Sequence, residues 1–290
     1  MPHLHHGASD SFGSVLITVI LVFTDLVYLR GWFSLRCDRL SSIPAWRACS
    51  FLLGPFLIWI ALASPLSALD HELLTVHMVK HLLLITFAPP LIWLAEPVRC
   101  VARAFRLAIW RTRMSALRQM GKALARPRVA WLAAAAVLVG WHIPALFTLA
   151  MHSPGWHFVE QASFLASGLL FWWPVVKPWP SVLRPDLSMI LYLFFATLPC
   201  DILSGFLVFC DRVVYTGYLS SSHLFGLDAL ADQQCAAALM WTCVTLVYLV
   251  AGALLAMRLL SPEKLRDAKS LPISHVNAAP ASFQQSSEVF

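Results

Sequence analysis

Long apolar runs separated by short polar connections dominate the chain. Seven of these runs approach or reach the roughly 20 residues that an α-helix needs to cross a bilayer. They cover residues 13–29, 48–66, 73–94, 129–149, 157–176, 187–209 and 233–257. The pattern therefore predicts an all-α integral membrane protein, a seven-helix transmembrane bundle that occupies residues 13–258.

The composition agrees with a membrane protein, since charged residues make up only 12% of the 290 positions and hydrophobic residues 59%. A soluble domain carries about 25% charged residues, so this chain lacks the polar surface of one. The first apolar run has no basic segment before it and large, basic residues after it, which indicates a retained helix and not a cleaved signal peptide. Residues 1–12 are predicted to be a His-containing N-terminal segment, and residues 259–290 a disordered polar tail.

Basic residues gather in alternate connections and after the last run. The first such connection holds Arg30, Arg36, Arg39 and Arg47, and the stretch 96–128 holds nine more basic residues. The N-terminal segment and the connections on the opposite side hold only Arg212. By the positive-inside rule, the N-terminus lies outside and the C-terminus lies in the cytoplasm. This topology accounts for the net charge of +6 without a nucleic-acid partner.

Two connections remain open to more than one interpretation. Residues 98–124 mix apolar and basic side chains, which fits either an amphipathic helix on anionic lipid or a solvated topology determinant. Cys210 and Cys235 flank the predicted outer loop after the sixth run, where an oxidising compartment would permit a disulfide. The sequence leaves their pairing undecided.

Polar residues cluster near the predicted outer surface, where ten of the eleven histidines lie. At 1.5 Å per residue, four different helices place polar or soft side chains about 10–12 Å deep. These side chains are Lys80 and His81, His142, Asp201, and Met240. Nearer the surface lie His71, His77, Met151, His152, His157, Glu160 and Asp232. Because intramembrane ionisable residues normally face a bundle interior or a wet cavity, the matched depth predicts one shared site.

The stretch HMVKH at 77–81 offers the first candidate ligands. His77 and His81 are four residues apart and share one helix face, so both imidazoles can reach a common ion. Lys80 has no free lone pair as an ammonium, and we expect it to pair with an acid. Asp201, at similar depth, is the predicted partner; the alternative is that Lys80 extends to the interface.

The stretch WHIP at 141–144 offers a third imidazole. Pro144 cannot donate to the carbonyl of Gly140, so we expect the helix to kink around His142. His142 is either a ligand or a hydrogen-bonded bridge between helices. Imidazole with thioether suits copper, especially Cu(I), whereas imidazole with carboxylate suits zinc, Cu(II) or iron. Met240 is the methionine best placed by depth to supply the thioether.

Four stretches together resemble the seven-span CtaG family, which is described as assembly factors of the caa-type haem–copper cytochrome c oxidase. They are HMVKH with APP at 88–90, WHIP, HFVEQASFLASGLLFWWPV at 157–175, and ADQQCAAALMW at 231–241. The resemblance covers about 180 residues. It implies a bacterial inner-membrane protein that delivers or inserts copper for an oxidase subunit at a periplasm-facing site.

The family's characteristic positions fall on residues of all four stretches. They are His77, His81, Trp141, His142, His157, Asp232, Gln233, Met240 and Trp241. The predicted metal ligands are His77, His81, His142, His157, Met240 and Asp232, with Lys80, Asp201, Trp141, Glu160, Gln233 and Trp241 in support. The chain departs from the family pattern at Gln161, where many relatives have histidine, and at residues 236–238, where AAA replaces a glycine-containing motif.

Other functions remain open at this point. His81 and His142 have suitable depth to be axial ligands of one haem, although the pair His77 and His81 on a single face cannot straddle a haem plane. A copper permease fits the Pro-broken helices, but the chain shows no inverted repeat. A pure scaffold would use the polar layer only to fasten helices. No nucleotide-binding loop or Ser/His/Asp arrangement is present, so we expect no enzymatic activity.

Overall fold

A computed structural model of the chain describes residues 6–36, 43–105, 126–176, 187–219 and 226–260, with side chains apart from those of residues 6–11 and 68. This part of the chain contains ten α-helices and no strand. They are α1 (His6–Arg36), α2 (Ala45–Ala63), α3 (Leu74–Leu82), α4 (Ala88–Leu94), α5 (Pro97–Ala104), α6 (Pro127–Trp141), α7 (Pro144–His152), α8 (Pro154–Val176), α9 (Leu187–Phe209) and α10 (Ala229–Leu259). The prediction of an all-α membrane protein is confirmed.

Five helical segments are long and apolar enough to cross a membrane: Phe12–Arg36, Ala45–Ala63, Leu74–Leu94, Leu187–Phe209 and Ala229–Leu259. The pair α6 and α7 makes a sixth if it is counted as one broken span. The predicted span 157–176 lies in α8, which is helical but less apolar because residues such as Glu160 and Gln161 interrupt it. The structure therefore supports five or six spans by length and composition, and not the full predicted seven.

The N-terminal helix is longer than its apolar run. It begins at His6, inside the predicted N-terminal segment, and it continues to Arg36. Only 6% of its most apolar window is buried, so this helix lies at the edge of the bundle. Gly31 lets α5 approach this helix, because a Cβ at this position would clash with the carbonyl oxygen of Cys100. Of the segment 98–124, residues 106–124 lie outside the described residues.

The segment Leu74–Leu94 lies at the centre of the bundle, with half of its apolar window buried. It joins α3 to α4 through a π-helical turn, Leu83–Phe87. Pro89 has no N–H with which to bond the carbonyl of Ile85 four residues earlier. The indole Nε1–H of Trp172 on α8 donates to that carbonyl at 3.1 Å. The contact thus satisfies a backbone oxygen that would otherwise be unpaired within the bilayer.

The apolar core surrounds this segment. One buried cluster joins α3 to α7, α8, α9 and α10 through side chains such as Met78, Phe147, Phe171 and Met240. A second joins α2, the π-helical turn, α4 and α8 around Phe164, Leu84 and Ile58. A short 3₁₀-helix, Pro65–His71, connects α2 to α3 and places Asp70 next to the start of α3. The polar side chains of the central segment are therefore enclosed by several helices at once.

Candidate metal centre

The predicted kink at His142 is present as a complete break. Helix α6 ends at Trp141, α7 begins at Pro144, and the two make an angle of 75°. Nδ1 of His142 lies 2.7 Å from the carbonyl oxygen of Leu138. That carbonyl can only accept, so Nδ1 carries the proton and the buried Nε2 keeps its lone pair. The break thereby presents an imidazole nitrogen that has no hydrogen-bond partner among the described residues.

His77, His81 and Glu160 form the first cluster of potential ligands, which we call the deep group. Each offers one ligand atom within 4.8 Å of the others. Nε2 of His77 lies 3.5 Å and Nε2 of His81 lies 3.6 Å from Oε1 of Glu160. The three side chains are almost completely buried, with relative exposures of 1%, 4% and 0%. The expected convergence of His77 and His81 on one point is confirmed.

The deep group is poor in hydrogen bonds. Both ring nitrogens of His77 and of His81 and both carboxylate oxygens of Glu160 lack a hydrogen-bond partner in the described part of the chain. Each buried polar atom left in this state costs about 1–3 kcal/mol. Aromatic rings hold the imidazoles in place instead: Phe164 stacks on His81 at 3.9 Å between ring centres, and Phe147 meets His77 edge-on at 5.1 Å.

Asp70, His77 and His157 form a second cluster, which we call the rim group. It shares His77 with the deep group. Oδ2 of Asp70 lies 3.3 Å from Nε2 of His157, whose side chain is 17% exposed. His71, which is 54% exposed, lies next to His157, with 5.6 Å between the centres of the two rings. The rim group thus lies between the deep group and the surface of the molecule.

Lys80 pairs with Asp70 and not with Asp201, so the predicted partner was wrong. The reason is that the 3₁₀-helix before α3 packs against α3, which brings the carboxylate of Asp70 next to the ammonium of Lys80. Burial alone would raise the pKa of Asp70, but the contact with His157 and the ammonium of Lys80 outweigh it and hold that pKa below its usual value. Asp201 is half-buried, and its Oδ1 has no hydrogen-bond partner in the described segments.

Asp232 lies in the same region but serves as a helix cap. Its Oδ2 accepts from the backbone N–H of Leu74 at 2.6 Å. Its Oδ1 accepts from the backbone N–H of Thr75 at 3.1 Å and from the Thr75 hydroxyl at 2.6 Å. The carboxylate therefore caps α3 from α10, as an N-cap side chain would. Asp232 belongs to neither the deep group nor the rim group.

The remaining predicted residues have mixed surroundings. The amide of Gln233 bonds the outer connection, accepting from Val214 N–H at 2.7 Å and donating to the Arg212 carbonyl at 3.1 Å. The indole of Trp141 donates to Ser163 at 2.8 Å, one turn from Glu160. Trp241 on α10 is half-buried and packs next to Gly205 of α9.

Cys210 and Cys235 are free thiols, so the structure contains no disulfide between them.

Met240 lines a small cavity together with His81 and His142. The cavity has a volume of about 40 Å³ and is otherwise almost entirely apolar, with Cys200, Phe164 and Tyr248 in its wall. The ring centres of His81 and His142 are 6.2 Å apart. His142 is therefore next to the deep group without belonging to it, and Met240 lines the same cavity as His81 and His142.

Asp70 is the functional candidate that the sequence interpretation missed. It lies outside the apolar runs, so a search for polar residues within spans passes over it. Its position next to His71 and directly before the span was the one available signal. Gln161, which stands where many relatives have histidine, places its Nε2 2.8 Å from Nε2 of His157.

The family comparison accords with this arrangement of buried imidazoles and carboxylates. Residues 26–261 match the model of the cytochrome c oxidase caa3 assembly factor family, Caa3_CtaG. The chain belongs to this family. The match begins within α1 and so extends beyond the four stretches that suggested it. The chain matches no curated protein and no solved structure.

Proposed function

We propose that this member of the cytochrome c oxidase caa3 assembly factor family binds copper at the deep group and assists its insertion into an oxidase subunit. The observation that carries the proposal is the convergence of His77, His81 and Glu160 from α3 and α8, whose polar side-chain atoms have no hydrogen-bond partner in the part of the chain that the structure describes. Ionisable residues within a membrane are expensive and mark functional sites. A metal ion would use the lone pairs that the protein leaves unpaired.

The donor set limits the choice of metal. Two imidazoles and a carboxylate suit zinc, Cu(II) and iron. Met240 and His142 line the cavity next to His81 and add donors that favour Cu(I). Since the family assembles a haem–copper oxidase, copper is the metal that fits both the donors and the family.

The structure gives less support to a haem protein. Cofactor and ligand sites typically have volumes of roughly 300–1,000 Å³. The cavity between His81 and His142 has a volume of about 40 Å³, and the two ring centres are 6.2 Å apart. Haem would have to separate these helices widely to use both imidazoles as axial ligands.

We further propose that the chain crosses the bacterial inner membrane seven times, with α6 and α7 as one broken span and α8 as the span of lowest hydropathy. The N-terminus is then periplasmic and the C-terminus cytoplasmic. The distribution of basic residues supports this orientation. It directs the rim group, at the start of α3 and α8, towards the periplasm. The role of the protein in oxidase assembly is non-enzymatic.

The test is metal analysis of the full chain, purified in detergent with and without added Cu(I). We expect one bound copper ion per wild-type chain and loss of binding in His77→Ala, His81→Ala and Glu160→Gln. His152→Ala is the matched control, because this imidazole on α7 is exposed and its Nδ1 lies 2.8 Å from the carbonyl oxygen of Thr148 in the same helix.

Oxidase assembly is measured in parallel, in cells that carry each variant in place of the wild-type chain. Full oxidase activity in all three deep-group variants, at wild-type protein levels, would contradict the proposal. Copper uptake by proteoliposomes containing the chain would instead favour a permease.

A further inference from the structure

The rim group and the deep group are two ligand sets joined by one residue. His77 belongs to both, and its two ring nitrogens have no hydrogen-bond partner among the described residues. Among the other members, His157 is the most exposed at 17%, whereas Asp70, His81 and Glu160 are buried, and Nε2 of His157 lies 3.9 Å from Oε2 of Glu160. Copper bound at either group would therefore share an imidazole with the other.

Exposure falls in steps along this arrangement. His71 is 54% exposed and His157 is 17% exposed, whereas His77 is 1% and Glu160 is 0% exposed. The ring centres of His71 and His157 are 5.6 Å apart, and those of His157 and His77 are 6.0 Å apart. An ion arriving from solvent would thus meet imidazoles at short, regular intervals before it reached the buried carboxylate.

The two groups differ in what already occupies their lone pairs. In the rim group, Asp70 is paired with the ammonium of Lys80, and His157 contacts the amide of Gln161 at 2.8 Å. A cation at this position would compete with both contacts. In the deep group, neither carboxylate oxygen of Glu160 and no ring nitrogen of His77 or His81 has a hydrogen-bond partner within the described segments. A cation is therefore held more weakly at the rim than in the interior.

We propose that Asp70, His77 and His157 form a receiving site that accepts copper from solvent and passes it to His81 and Glu160 through the shared His77. This inference rests on the proposed function. Lys80 acts as a positioning residue: by neutralising Asp70 it keeps the receiving site weak, so the ion does not remain there. Because His77 serves both groups, the chain holds one ion, first at the rim and then in the interior.

Rates and affinities measured on the same variants test this order. Full-length chain in detergent is mixed with Cu(I) in a stopped-flow instrument, and binding is followed by quenching of tryptophan fluorescence. Equilibrium affinity is measured by competition with a chromogenic Cu(I) chelator. We expect His157→Ala to lower the loading rate constant by at least about 10-fold, equivalent to ~1.4 kcal/mol in the barrier. Its equilibrium affinity should change less than about 3-fold, because the deep group is intact.

Two further variants keep the test sharp. His81→Ala should lower the affinity by about 100-fold or more, because it removes a ligand of the deep group. His157→Gln, which retains a polar side chain next to Gln161, should slow loading as His157→Ala does while preserving the fold. His152→Ala should change neither quantity, since this exposed histidine belongs to neither group.

Three results would overturn the receiving site. Loading at the wild-type rate in both His157 variants would show that copper does not pass the rim. An affinity loss in His157→Ala equal to that in His81→Ala would show one four-ligand site and no transfer. Two copper ions per wild-type chain would contradict sequential use of His77. If the wild-type chain binds no copper, the proposed function itself fails; the first three results leave that function intact.

Discussion

The cap on α3 is a polar contact between the candidate centre and α10, and Asp232→Ala tests its contribution to stability. One buried carboxylate accepts three hydrogen bonds, from two backbone N–H groups and one hydroxyl. Loss of an N-cap side chain costs about 0.5–2 kcal/mol, and hydrogen bonds to a charged group contribute about 1.5–3 kcal/mol. Because Leu74 is buried, water cannot replace the lost acceptor there. We expect the free energy of unfolding to fall by about 2–4 kcal/mol.

Asp228→Ala is the matched control for this prediction. Asp228 caps α10 through the backbone N–H of Ala231 at 2.7 Å, but its side chain is exposed. Its loss should lower the free energy of unfolding by only about 0.5–1 kcal/mol. The loss of stability in Asp232→Asn should lie between those of Asp228→Ala and Asp232→Ala, because the amide keeps one acceptor oxygen but brings an NH₂ group towards a backbone donor.

The assay is unfolding in mixed micelles with increasing SDS, followed by the fluorescence of the 12 tryptophans. Copper affinity is measured on the folded fraction of each variant. If Asp232 is a cap, the variant loses stability but its folded fraction binds copper as the wild type does. Wild-type stability combined with lost copper binding would refute the reasoning and identify Asp232 as a ligand.

Three further predictions concern packing, charge and metal selectivity. Gly168→Ala should lower the free energy of unfolding by about 1–3 kcal/mol, because its Cβ would lie 2.8 Å from the backbone of the π turn. Gly252→Ala, which has open space around the new Cβ, should not lower it, and equal stabilities of the two variants in SDS unfolding would contradict this prediction. Lys80→Met should cost about 3–5 kcal/mol by leaving the Asp70 charge buried and unpaired, and adding Asp70→Asn should restore most of it; a double-mutant cycle measures the coupling, and additive losses would argue against the ion pair. Met240→Leu should lower Cu(I) affinity by about 10-fold and leave Zn(II) affinity unchanged, because only the soft ion gains from a thioether ligand. Competition titrations with each ion measure the two affinities, and an equal loss for both ions would indicate that Met240 has a packing role.

Features that depend on local geometry could be predicted from the sequence. The spacing of His77 and His81 places two imidazoles on one face of any helix, and Pro144 breaks its helix regardless of the surrounding fold. Depth along the apolar runs also located His142 and Met240 correctly, next to His81. These predictions needed only the dimensions of a helix.

Features that depend on which helices are neighbours could not be predicted. Depth gives a position along the membrane normal but no direction within the plane, so matched depth favoured Asp201 as the partner of Lys80 without showing whether the two side chains lie side by side. Asp70 lies in a 3₁₀-helix that folds back onto α3, and no periodicity in the sequence indicates that return. The cap that Asp232 makes was not predictable either, because the start of α3, where its oxygens accept hydrogen bonds, is 157 residues away in sequence.

The two buried carboxylates of the candidate centre differ in the charged groups next to them. Asp70 has a permanent partner in Lys80, so that pair is neutral by itself. Glu160 is completely buried, and its ion-pair partners within the described segments are the imidazoles of His77, His81 and His157. An ionised carboxylate in a low-dielectric interior is stable only with a compensating positive charge. A metal ion coordinated by these imidazoles would supply that charge beside the carboxylate. The bundle therefore holds, near the ion pair of Asp70 and Lys80, a second buried acid whose ion-pair partners among the described residues are all imidazoles, and this is the arrangement that the proposed copper site uses.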